Sequence, residues 1–205
     1  MPKVVKNYRN QAKETILDSA SRMIYSSGFQ DVGMEEIARN IGITKGTLYL
    51  YFKNKEDLLT EACNRNMSIL EKTMNETMSG NLDSGIKNFI IEELGLPDYV
   101  KFHWLFALSE ANKNKKIKDI LIKSYGNYVS IVSDFIEKLK SNGVVPEGIV
   151  SEEIAKRLIA FHNGILLSVM LGEEEREAIS QFLQGIPQFF TSAANKAKTD
   201  VIRKD

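Results

Sequence analysis

Between Met34 and Lys55 the chain reads MEEIARNIGITKGTLYLYFKNK, and here the side chains able to do chemistry are grouped: Thr44, Lys45, Gly46, Thr47, Tyr49 and Tyr51, then Lys55. Their types suit a polyanion better than a reaction. Hydroxyls and ammonium groups reach phosphate oxygens, tyrosine rings cover thymine methyl groups, and a glycine removes the side chain that would hold a backbone away. Lys55 opens a helix, where the helix dipole already favours an anion such as phosphate. No comparable set exists for catalysis. His103 and His162 are the two imidazoles. Neither stands in a Glu-x-x-His or His-x-x-x-His spacing, and no Gly-rich phosphate loop follows a strand pattern. No catalytic residue, metal site or cofactor is expected, and a small helical enzyme is the remote alternative.

The surrounding residues dictate how the group is held. Ile37, Ala38 and Ile41 form the inward face of a short helix. Gly42 can take the left-handed conformation that ends it, Ile43 can plug between two helices, and Thr44 can cap the second with its hydroxyl. Leu48 and Phe52, four residues apart, anchor that second helix, which leaves Lys45, Gly46, Thr47, Tyr49 and Tyr51 on the open side. Two helices joined by a tight turn containing Gly form a helix-turn-helix unit, whose second helix can enter a DNA major groove. Asn54 can cap the next helix, with Asp57 at its third position.

The run IARNIGITKGTLYLYFKNKEDLL resembles the DNA-binding signature of the TetR family of transcriptional regulators. The likeness covers roughly Lys13 to Leu59 as sequence and the remaining helices only as architecture. It implies an all-α homodimer. Residues 1–56 would form a three-helix DNA-binding domain with a basic N-terminal arm, and residues 57–205 a helical effector-binding and dimerisation domain. Gly33 departs from the Ser or Thr that commonly caps the first helix of the motif, which removes a side-chain contact to phosphate there.

Charge follows the same division. Residues 1–55 hold nine Lys or Arg against five Asp or Glu, a net +4, whereas the remainder holds 18 against 22, a net −4. The formal net charge of zero therefore conceals a basic N-terminal part. The single cysteine, Cys63, cannot form an intrachain disulfide, and it lies on an apolar helical stripe that suits a buried thiol. No apolar run reaches the roughly 18 residues of a membrane span, and MPKVVKNYRN lacks the apolar centre of a signal peptide. A cytoplasmic protein with no membrane partner is expected.

The first ten residues show no periodicity and suit either a solvated tail or an arm reaching into a minor groove. Helices are expected over 11–27, 54–78, 84–94, 98–111, 117–139, 151–171 and 177–198. Ser151 is positioned to cap the helix 151–171, and Pro187 to bend the last one. Aromatic residues gather on the C-terminal helices. Phe89, Phe102, Trp104, Phe106, Tyr125, Tyr128 and Phe161 have few charges among them, and His162 offers a polar handle in an apolar segment. These eight are the candidate lining of a pocket for a largely apolar effector. The last two helices are apolar around much of their circumference. Leu158, Gly164, Ile165, Phe182, Ile186 and Phe190 are the candidate dimer seam, where a mid-helix glycine, costing about 1 kcal/mol against alanine, permits close helix approach.

These expectations describe a ligand-responsive repressor that binds an inverted-repeat double-stranded operator as a homodimer and leaves it when the effector binds. The alternative is a constitutive architectural or occlusion factor with no effector, whose C-terminal core would be collapsed.

Overall fold

The computed structural model describes residues 3–78, 82–101 and 103–202, with the side chains of residues 8–77, 86–101, 105 and 107–191. Among them there are ten helices and no strand. They are α1 (Lys3–Ser27), α2 (Met34–Ile41), α3 (Lys45–Tyr49), α4 (Lys55–Met78), α5 (Leu82–Leu94), α6 (Asp98–Lys101), α7 (His103–Ala111), α8 (Lys115–Ser141), α9 (Ser151–Met170) and α10 (Glu175–Ile202). None is long and apolar enough to cross a membrane among the described residues. The expected arm is helical: α1 begins at Lys3, because Lys3–Ser27 holds neither Gly nor Pro and nothing interrupts the backbone ladder before Gly28.

Packing divides the chain into two compact units, Met1–Met67 with Pro97–Ser124 and Ser68–Leu96 with Tyr125–Asp205. This differs from a cut between residues 56 and 57. Helices α4 and α8 each belong to both units, so no single chain position separates them.

In the first unit, Ile16, Leu17, Ala20, Val32, Ile37, Ala38, Leu48, Phe52, Leu58 and Ala62 form one buried cluster. Phe29, Leu59, Cys63, Ala107 and Ile117 form another. Burial raises the pKa of the Cys63 thiol, as expected for a thiol used as a small apolar side chain.

In the second unit, the core is built from Val129, Val132, Ile136 and Leu139 of α8, Ile154, Ala155 and Ile159 of α9, and Val145 and Ile149 between them. Ser151 is not the cap of α9. Extended Val150 holds that position, and the buried Ser151 hydroxyl donates instead to Glu137 Oε1 at 2.5 Å, tying α9 to α8.

Helices α9 and α10 pack against each other more extensively than any other pair of helices in the second unit. Phe161 of α9 stacks on Phe182 at 5.9 Å between ring centroids and meets Phe189 at 5.4 Å, and its ring fills the space a side chain at Gly185 would need. With rings on both flanks, Phe161 cannot swing away cheaply. Gly185→Ala should therefore destabilise the protein by about 1–3 kcal/mol, the usual cost of overpacking. Urea unfolding should show this as a lower midpoint, and an unchanged midpoint would mean that the Phe161 ring yields freely.

Candidate nucleic-acid interface and apolar cavity

The helix-turn-helix begins at Gly33, which takes an extended conformation at the N-cap of α2 and provides no side-chain cap. Gly42 ends α2 at φ 78°, ψ 27°, a left-handed conformation that a β-carbon would disfavour, and its N–H bonds back to Ala38 and Arg39. The Ile43 N–H then reaches the Ala38 carbonyl at 3.0 Å. Thr44 caps α3, its Oγ1 accepting from the Thr47 N–H at 3.0 Å and sharing a 2.8 Å hydrogen bond with the Thr47 hydroxyl. Beneath, Leu48 and Phe52 are fully buried.

What α3 presents differs in part from expectation. Tyr49 is exposed, but Tyr51 is half-buried against the core cluster and points away from the open side. Leu50, 74% exposed, takes its place beside Tyr49. The cause is the shortness of α3: regular helix stops at Tyr49, so the helical spacing used to place Tyr51 no longer applies. Lys45 is exposed and paired with Glu35 at 3.2 Å, a surface contact that solvent and salt weaken. Gly46 and Thr47 lie on the same helix.

Lys55 is committed within the unit. Its Nζ donates to the Phe29 carbonyl at 2.5 Å and the Gln30 carbonyl at 3.4 Å, and lies 4.8 Å from the centre of the Phe29 ring. It is first a tie between the start of α4 and the connection after α1. Asn54 caps α4 through Oδ1, accepting from the Asp57 N–H at 2.8 Å, while Asp57 accepts from the Lys53 N–H at 3.0 Å.

The second unit contains a partly open cavity of about 540 Å³. Its lining comes from α4, α5, α8, α9, α10 and the connection after α8. Phe89, Tyr128 and His162, expected in the pocket, line it. Tyr125 does not: it is about half exposed. Phe161 sits one layer behind, against Phe182 and Phe189. The side chains of Phe102, Trp104 and Phe106 lie outside the described residues.

Most of the expected dimer seam faces inward. Leu158, Phe182, Ile186 and Phe190 line the cavity, and Ile165 is buried in its own unit. An apolar stripe shows which residues avoid water, not what covers them. Gly164 alone of the six is exposed, with open space where a side chain would project. It lies on an outward face of α9 with Ala160 and Leu167, continued by Leu171 at the helix end, three residues that sequence reading passed over because the whole segment is apolar.

The residue that sequence reading missed is Glu93. It shares a helix face with Phe89, four positions earlier, and its Oε2 lies 2.5 Å from His162 Nε2. The other ring nitrogen, Nδ1, is 3.2 Å from the Tyr128 hydroxyl. Phe89 and Phe182 pack on the imidazole at centroid distances of 5.8 and 5.7 Å.

A tight, capped turn between two short helices, presenting an exposed Tyr–Leu edge in an all-helical frame, defines a helix-turn-helix DNA-binding protein. Residues 16–62 match the family model described as bacterial regulatory proteins, tetR family. Over 187 residues the chain is 24% identical to YfiR of Bacillus subtilis (strain 168), an uncharacterized HTH-type transcriptional regulator, spanning 87% of this chain and 90% of that one. GusR of Salmonella enterica has a similar fold, with a TM-score of 0.76 at 18% identity over 87% of this chain and 95% of that one. SmeT, solved as a complex with triclosan, follows at 0.71 and 18% identity over 88% and 90%. Residues 16–62 thus carry the DNA-binding region of the TetR family of transcriptional regulators, and the rest of the chain is similar to such regulators in fold.

The Tyr128–His162–Glu93 chain sets the electrostatics of the cavity. Burial opposes a charge on His162, but the Glu93 carboxylate and its hydrogen bond outweigh burial and raise the imidazole pKa. Burial, reinforced by Glu93, also pushes the Tyr128 phenol well above its usual range, so it keeps its proton. A raised imidazole pKa fixes the sign of the pH effect. The pair's contribution is complete below the unfolded value of about 6.5 and is lost as pH rises through the folded value. Glu93→Gln should therefore lower Tm most below about pH 6.5, with a gap to wild type that narrows as pH rises through the raised folded value. Thermal unfolding across that range checks this, and a constant gap would mean that His162 stays neutral.

Proposed function

We propose that the protein is a repressor that binds an inverted-repeat operator as a homodimer and is released when a largely apolar small molecule fills the cavity of the second unit. The observation that carries the reading is α4. Its Thr73, Met74 and Thr77 line the cavity, and its Leu58 and Ala62 belong to the cluster that holds Leu48 and Phe52 of the helix-turn-helix. A ligand that displaces Met74 pushes on the same continuous helix that fixes α3. The structure of SmeT with triclosan supports a small-molecule effector. A constitutive factor without effector would suit a collapsed interior, which a cavity of about 540 Å³ is not.

On DNA, Thr44, Lys45, Gly46 and Thr47 would hold phosphates while Tyr49 and Leu50 meet base edges and thymine methyls. Tyr51 would support α3 from behind, and Lys55 would reach a phosphate only by sharing its carbonyl partners. The dimer would set two α3 helices about 34–36 Å apart, one turn of DNA. We expect Tyr49→Ala to reduce discrimination between operator and random duplex, and Lys45→Ala to weaken both while lowering the salt slope by about 1. Occupying the cavity should release operator, with operator weakening ligand binding by the same factor. Fluorescence anisotropy on both duplexes, with and without a cavity ligand, would decide the matter. Equal losses on both for Tyr49→Ala, or unaltered affinity with the cavity filled, would count against the assigned roles.

For the dimer we assign the outward face of α9 at Ala160, Gly164, Leu167 and Leu171. Because a side chain at Gly164 meets nothing in its own chain, Gly164→Phe should leave monomer folding intact and open the seam. Sedimentation should show a shift toward monomer with unchanged helical content, and an undisturbed dimer would place the seam elsewhere.

A further inference from the structure

The cavity's charge pattern narrows what can enter it, given that it is the effector site proposed above. Among the described residues that line it, none is Asp, Glu, Lys or Arg. The polar lining is a few hydroxyls and one imidazole. Two of those hydroxyls already donate to their own helices, Thr77 to the Thr73 carbonyl at 2.9 Å and Thr191 to the Pro187 carbonyl at 3.0 Å. Tyr128 and His162 supply the strongest polar feature, and their geometry is directional.

Glu93 lies outside the lining and meets His162 Nε2 from the far side. Any positive charge on the imidazole is thus neutralised before a ligand arrives. Among the described lining residues a bound carboxylate would find no unspent cation. A bound cation would find aromatic rings but no anion among those residues, because Glu93 is already taken. Burying an unpaired charge in such surroundings is strongly unfavourable.

In the doubly protonated imidazole, Nε2–H donates to Glu93 and Nδ1–H to Tyr128 Oη, so the phenol accepts from the imidazole. Its own O–H is then directed away from His162. The raised imidazole pKa supports this protonation state, and the raised phenol pKa keeps Tyr128 a donor. We infer that the cavity selects uncharged, largely apolar molecules bearing a hydrogen-bond acceptor, a carbonyl or ether oxygen received by the Tyr128 hydroxyl, with His162 and Glu93 as the positioning residues that aim it.

The test uses the full chain and three aromatic probes of one skeleton: 2-acetylnaphthalene, 2-ethylnaphthalene and 2-naphthoate. Each competes with the neutral fluorophore N-phenyl-1-naphthylamine. The ketone should bind most tightly, the ethyl compound roughly five- to tenfold more weakly for the lost hydrogen bond, and the carboxylate at least about a hundredfold more weakly for its unpaired charge. In Tyr128→Phe the ketone should lose its advantage while the ethyl compound binds within about twofold of wild type. Glu93→Gln should reduce the ketone-to-ethyl ratio without changing ethyl affinity, a split that general loosening of the site would not produce.

Carboxylate binding as tight as ketone binding overturns the inference, and so does a ketone preference that survives Tyr128→Phe. The wild-type ranking alone decides the charge rule if a variant fails to fold. Absence of saturable fluorophore binding, or binding that persists when Val132→Trp fills the cavity, would instead remove the cavity as the effector site and take the inference with it.

Discussion

Helix α4 contributes to two cores with one continuous ladder of backbone hydrogen bonds. Its first half gives Leu58, Leu59, Ala62 and Cys63 to the first unit, and its second half gives Met74 to the packing of the second. At 1.5 Å per residue its 24 residues extend about 36 Å. A helix of that length bends less readily than a loop of the same length. Under the reading proposed above, a displacement at Met74 would be carried along this ladder toward α3. The cap at Asn54 and the Lys55 bonds to the Phe29 and Gln30 carbonyls fasten the other end.

The second unit sets Glu93 against the imidazole of His162, an ion pair whenever the imidazole is protonated. A buried charge pair contributes little net stability, because desolvation consumes most of the attraction, whereas removing one partner leaves an uncompensated charge. Stability is thus a weak reason for Glu93 and His162 to face each other. Direction is a better one. An imidazole bonded at both nitrogens cannot rotate, and Tyr128 is then fixed as to which way its proton points. Phe89 and Phe182 on the imidazole lower the local dielectric and strengthen both bonds.

The DNA-facing surface is shaped by the brevity of α3. Five helical residues present only a short face, and the residues just past the helix extend it. Leu50 is an apolar side chain left in water, where Tyr51 finds cover against the three-helix core. A surface of one tyrosine and one leucine suits methyl groups and sugar edges more than polar base edges.

Local chemistry was legible in the chain. Gly42, Thr44, Leu48 and Phe52 fix the turn, its cap and its anchors through interactions that span only a few residues. The structure places each as those interactions require. The all-helical fold and the apolar character of α9 and α10 follow from periodicity in the same way. The direction of the apolar stripes was not legible: Leu158, Phe182, Ile186 and Phe190 turn to a cavity, and only Gly164 of the expected seam turns outward. Nor was Glu93, which meets a histidine 69 residues away. Helical spacing fixes the angle between residues on one helix, but the rotation of that helix against its neighbours is decided by how all the side chains fill the space together. Only tertiary packing could bring Tyr128, His162 and Glu93 into one line.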